Sequence, residues 1–326
     1  MITLRLESAV EALERLHVRR VSGRERISAL YEICVDFIGE EVLDFGDLVG
    51  VEVTIVIERE GLEPRRIHGV VYGFDERFDP EAHGWFGGRL RIGPRARKMT
   101  FVRTQDIHLE SSVTDIVEHK LGLCGLDGDD ARTLSLRADY PKREFVAQFD
   151  ETDLAFIGRL TEHAGISWFF EQIEGGERIV FTDHTDGFPT VPALPVVTFT
   201  KRQDEPGVRD IAVHRTAVPA TYAVMEYNYR TPNADLQALH DLEDGFAGGI
   251  VEYGAHFKTL DEGKVLARIR AEEAEASRVI YEGVSDRPEL VAGHRIKLDG
   301  HPRLDGLELL LIEVEHEAAL PDDDAT

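Results

Sequence analysis

The sequence predicts a β-rich α+β fold. Three observations carry this: period-two alternation of apolar and polar residues through the first hundred positions, two helical stripes between residues 112 and 164, and a return to short strands beyond a proline-rich passage near 190.

Val51, Val53, Ile55 and Ile57 alternate with Glu52, Thr54, Val56 and Glu58, the pattern of a strand with one face in a core. Similar runs at 67–74 and 89–92 are separated by turn-formers at Glu60-Gly61 and 84–88, which predicts an antiparallel sheet or small barrel. After Pro94 the pattern changes. Ser112 followed by Asp115 sets up a capping box for a helix carrying Val113, Ile116, Val117 and Leu121 on one face, with Gly122 placed to end it. A second helix is expected over 152–164, where Phe156, Ile157, Leu160 and Ala164 fall at helical spacing. Asp153 stands near its positive end and Gly165 at its exit. Strands at 166–171 and 178–183 form a hairpin around Gly175-Gly176. The segment 188–195 reads as a boundary because proline removes backbone donors. Beyond it come a strand at 222–229, a highly charged helix at 261–277 and a final strand at 309–316; residues 321–326, PDDDAT, lack apolar anchors and are expected to be disordered.

The 326 residues suffice for two or three domains, and 42% hydrophobic residues argue against bulk disorder. Net charge is −25, unevenly placed: residues 1–98 hold 15 basic and 18 acidic side chains, whereas 99–326 hold 22 and 44. Such a field repels phosphate backbones, so nucleic acid and anionic lipid are poor partners. Arg5, Glu7, Glu11 and Glu14 interrupt any apolar run that a secretory signal would need, and the apolar stretch 307–314 contains Glu308 and Glu313. A cytoplasmic product with no signal peptide and no membrane span is therefore expected. Cys34 and Cys124 have no metal-ligand spacing and are read as reduced and buried for packing.

Nucleotide loops, a GxSxG elbow and an HExxH helix are all missing from the sequence. Asp127-Gly128-Asp129-Asp130 resembles a calcium loop, but Ala131 and Arg132 stand where the next ligand and the turn glycine should be, so a solvated turn is expected. His316 shares the alternating face of Leu310, Ile312 and Val314 and reads as a packed histidine. With 62 acidic residues, paired carboxylates leave a polysaccharide-acting hydrolase as an unspecific alternative. No catalytic residue, metal or cofactor is assigned.

The segment 143–171, REFVAQFDETDLAFIGRLTEHAGISWFFE, carries the most specific signal. It runs from Arg143 and Glu144 through Gln148 to Glu151 and Asp153, then Phe156, Arg159, Leu160, Glu162, Gly165, Ile166 and an aromatic strand. This resembles the characteristic stretch of the VgrG family, the spike proteins of the type VI secretion system. Segments 111–121, 225–232 and 290–298 leading to His301-Pro302 agree; Val146 replaces a frequent cysteine, Thr152 a serine, and 94–96 lacks the usual leucine.

The resemblance implies a fold like the tail hub of contractile phages, with two similar β-barrel domains plus smaller mixed α/β and helical insertions. Its expected boundaries are a first barrel at 1–97, a mixed domain with the family motif at 98–190, a second barrel from 191–230 plus 284–318, an inserted helix-containing domain at 231–283 and an acidic tail at 319–326. Arg143, Glu144, Glu151, Asp153, Arg159 and Glu162 would supply ion pairs, and Phe149, Phe156, Ile157, Leu160, Ile166 and Phe170 a core. Implied partners are two further copies in a trimeric ring, a hexameric Hcp-like tube protein, a spike domain, baseplate components and effectors or adaptors. The protein would assemble in the cytoplasm and leave by injection into a target cell. A hub of a contractile phage or extracellular injection particle is the alternative. In the family an oligosaccharide-binding-type barrel and a β-helical needle follow the hub, and neither fits into the residues after His316.

Overall fold

A computed structural model describes residues 2–40, 42–77, 86–192, 194–202 and 204–320. Six strands open the chain: β1 Ile2–Ser8, β2 His17–Arg26, β3 Glu32–Gly39, β4 Glu52–Arg59, β5 Arg65–Arg77 and β6 Phe86–Gly93, with single-turn helices α1 Glu11–Glu14 and α2 Phe45–Leu48 between them. Next come β7 Arg103–Ser111, α3 Val113–Leu123, β8 Arg132–Ser135, β9 Arg143–Thr152, α4 Asp153–His163, β10 Ser167–Ile173, β11 Gly176–Thr182 and β12 Val196–Thr198. The remainder is β13 Val208–Arg215, β14 Thr221–Glu226, β15 Leu236–Asp241, β16 Gly249–Tyr253, α5 Leu260–Ala276, β17 Val279–Ser285, β18 Arg295–Asp299, β19 Glu308–Leu310 and β20 Glu313–Ala319. The chain divides into two compact units, one of Met1–Arg159, Ile166–Phe199 and Asp286–Thr326, the other of Leu160–Gly165 and Thr200–Ser285.

In the first unit the alternating runs become a seven-stranded antiparallel sheet in the order β1-β4-β5-β6-β3-β2-β20. Its inward residues include Leu4, Leu6, Val21, Ile33, Val35, Ile55, Ile67, Leu90 and Ile92, all buried. The strand expected over 309–316 is broken into β19 and β20, and β20 joins this sheet rather than the strands of the second barrel with which the sequence grouped it. Arginines of β2 hold it by cross-strand pairs: Arg20 with Glu317 at 2.7 Å and Arg24 with Glu313 at 2.6 Å.

On the inner side, Glu25 of β2 meets Arg65 of β5 at 2.7 Å and His316 of β20 at 2.9 Å. Since β5 and β2 are not neighbours in the strand order, this bond requires a curled sheet. His316 is thus the packed histidine that its alternating face predicted, and it carries an acidic partner. Burial alone would raise the Glu25 carboxyl, but Arg65 and His316 outweigh it and hold the group at about 2.

A smaller sheet, β10-β11-β8, continues this unit, with Glu171 and Arg178 directly opposite each other and paired at 2.5 Å. The turn expected at 84–88 lies partly outside the described residues, and from Phe86 the chain is already in β6. Residues 321–326 of the expected disordered tail also lie outside them, while Ala319 belongs to β20. Both cysteines are half-buried rather than buried, and that burial raises both thiols.

The second unit contains the antiparallel pair β13-β17 and the sheet β15-β14-β16. One face of the latter packs on α5 through Val224, Leu236, Ala238, Phe257, Leu266 and Ala267. The strand expected to reach residue 229 stops at Glu226.

The Glu25 cluster gives a signed pH dependence. A carboxyl held near 2 when folded and near 4.5 when unfolded stabilises the fold fully above about pH 4.5, and the contribution disappears as pH falls toward 2. The difference is worth on the order of 3 kcal/mol. Urea midpoints measured from pH 2 to 6 should show that acid loss in the native chain and a visibly shallower loss in Glu25→Gln.

Candidate functional site

The family-like segment folds as β9, α4 and β10, and its chemistry lies beneath the β7–β9 ribbon. Ser112 and Asp115 make the reciprocal capping box at the start of α3 that the sequence predicts. The helix runs past Gly122 to Leu123, and Gly125, at φ 76°, takes the left-handed position after it. On the apolar face of α3, alongside Ile116, Val117 and Leu121, sits Lys120, a lysine only 1% exposed.

An ammonium so deeply buried needs a compensating charge. Lys120 Nζ lies 3.0 Å from Asp153 Oδ1 and 3.2 Å from Asp106 Oδ2. Asp153, fully buried in the first turn of α4, also accepts from Gln148 Nε2 at 2.9 Å, and the same amide donates to the Glu151 carbonyl at 3.0 Å. Burial would raise Asp106, but the Ile107 N–H and Lys120 hold it below the usual carboxylate range. His108 stacks on Phe156 with centroids 5.5 Å apart, and burial lowers its imidazole. Arg159 closes the other side, bonding Glu151 at 2.6 Å and the Ala147 carbonyl at 3.1 Å.

Of the motif residues, the structure therefore joins Gln148, Glu151, Asp153, Phe156 and Arg159 into one network. Arg143 and Glu144 open β9, with Arg143 opposite Ser111. Leu160 is buried and Glu162 exposed; Ile166 is buried just before β10. Gly165 ends α4 at φ 70°, where an added Cβ would also lie 3.0 Å from the Ile269 side chain.

Phe149 corrects the expected core, since it is 75% exposed whereas Phe156, Ile157, Leu160, Ile166 and Phe170 are buried. Strand parity is the reason: Val146 and Gln148 face inward, so Phe145, Ala147 and Phe149 face out. Lys120, Asp106 and His108 were missed by the sequence reading. A lysine inside the apolar stripe of a helix was the available signal for the first. The 127–130 segment forms a turn with Asp129 and Asp130 exposed, and among the described residues no cluster of His, Cys, Asp or Glu could hold a metal and no helix is long and apolar enough to cross a membrane. The arrangement is an internal clamp of charges rather than a cleft.

Comparison with known proteins agrees with this architecture. A family model described as "Phage tail baseplate hub" matches residues 24–322. Two type VI secretion system spike proteins of Pseudomonas aeruginosa, VgrG5 and VgrG4b, are 28% and 30% identical over 98% and 94% of this chain. The chain spans about two fifths of their length, 40% and 38%. Among solved structures, an E. coli protein described as a type VI secretion component similar to T4 tail proteins gp27 and gp5 superposes with a TM-score of 0.72 at 21% identity, covering 97% of this chain and 73% of that one. A prophage tail protein from Shewanella oneidensis superposes at 0.65 with 10% identity, covering 96% and 94%. The fold is thus β-rich and of the tail-hub type.

The buried clamp makes a test by substitution direct. Lys120→Met strands the Asp153 carboxylate and should cost about 3–5 kcal/mol. Lys120→Met with Asp153→Asn removes both charges while keeping an acceptor for Gln148, and should recover most of that loss in urea unfolding followed by tryptophan fluorescence.

Proposed function

The chain belongs to the phage tail baseplate hub family and is similar to VgrG spike proteins over about two fifths of their length, and from that premise we propose that it is a structural hub of a type VI secretion spike. Three copies form a ring that joins a hexameric tube to the puncturing spike. The ring is expelled with its effectors when the sheath contracts. One observation carries this reading: the secretion spike proteins are similar across nearly the whole chain, 94–98% of it.

The physical character of the motif supports the same role. Glu151 pairs with Arg159 and Asp153 with Lys120 within the fold, which suits a part that must transmit force without changing shape. In this reading the two units carry the two-barrel plan with its inserted helical part, and the spike segment, baseplate components and effectors or adaptors are the further partners. The protein is made in the cytoplasm and leaves by injection. A tail hub of a phage or extracellular injection particle is the second reading, favoured by the prophage tail protein that shares the fold. Neighbouring genes for a tube, a sheath and secreted effectors support the first; tail-assembly genes support the second.

Mixing the full chain with intact hexameric tube rings and weighing the product by native mass spectrometry should give three chains on one ring. Rings that stay free of the chain, under conditions where both are folded, overturn the tube-joining role.

A further inference from the structure

We infer that the outward face of the β7–β9 ribbon is a contact surface between copies of this chain. This rests on the trimeric reading above and deepens it by naming the surface. On that face Ile107 stands opposite Ala147 and Leu109 opposite Phe145. Ile107, Leu109, Phe145 and Phe149 are 59%, 63%, 58% and 75% exposed.

These side chains cannot turn inward. A one-residue slip of β9 would bring Gln148 to the surface and take its bond from Asp153, so the buried clamp fixes which face is outward. At the ribbon's end, the register shift opposite Thr104 and Asp106 leaves Asp150 at φ 51°, and Arg103 grips its carboxylate with two bonds of 2.9 Å.

Area and charge together choose the occupant. Directly opposed cross-strand pairs are about 5 Å apart, so these residues form one patch. It offers roughly 500 Å² of apolar surface, near the top of what a monomer leaves exposed and more than half of the ~800 Å² that each partner gives to a stable interface. Each copy carries a net charge of −25, so two copies repel wherever acidic surfaces meet. The centre of this face has no charged side chain, and Arg103 and Asp150 at its edge neutralise each other. A second copy can therefore approach here without like-charge cost, whereas a basic partner finds no charge to bind. In a threefold ring the contact is heterologous, so the face meets a different surface of the next copy.

The test is the absolute mass of the full chain by light scattering across a concentration series. Native protein should reach the mass of three chains. Leu109→Glu with Phe145→Glu, and separately Phe149→Lys, should move the assembly midpoint up at least tenfold while circular dichroism and the urea midpoint stay at the native values. Val42→Glu, at a residue 77% exposed outside the ribbon, puts a glutamate in place of an exposed apolar side chain elsewhere and should assemble like the native chain. Folded ribbon variants that still form trimers overturn the surface while leaving the hub reading intact. Native protein that stays monomeric throughout also overturns it, and tube binding then judges the hub reading by itself. Ribbon variants that keep the trimer and lose tube binding overturn it in favour of the tube as occupant.

Discussion

The pairing of Lys120 with Asp153 is the constraint on which the motif region depends. An ammonium and a carboxylate, 1% exposed and fully buried, are held 3.0 Å apart where α3, the end of β9 and the first turn of α4 meet. Removing both from water is costly, and the arrangement is tolerable because Asp106 and Gln148 supply further charge and hydrogen bonds. That requirement fixes the inward face of β9. It thereby turns the aromatic side chains of the same strand outward.

Much of the fold was legible in local pattern. The alternation in 51–58, the Ser112–Asp115 capping box and the Gly175-Gly176 turn each became the element they predicted, because each depends on residues close in sequence. Errors arose where composition at one position does not decide. Gly122 has the composition of a helix terminator, yet the left-handed position falls at Gly125. Phe149 is as apolar as Phe156, but parity on an antiparallel ribbon, set by what Gln148 bonds to, exposes one and buries the other. The partner of Asp153 lies 33 residues earlier on another element, and no spacing rule connects the two.

The resemblance of 143–171 to secretion spike proteins was more informative about function than any chemical motif. Its residues act on one another and on β7: Glu151 with Arg159, Gln148 with Asp153, and Phe156 against His108. The proposed role in assembly is in keeping with a clamp of buried charges beneath an apolar face turned to solvent.

The first sheet also carries a consequence for the order of synthesis. Its last strand, β20, bonds to β2 through His316 and Glu25, 291 residues apart. A ribosome adding about 5–20 residues per second needs on the order of 15–60 s to cover that distance. During that interval β2 is a bare sheet edge, and Glu25 and Arg65 lack the histidine that completes their cluster. The nascent chain therefore holds an unfinished sheet until β20 emerges and closes the β2 edge.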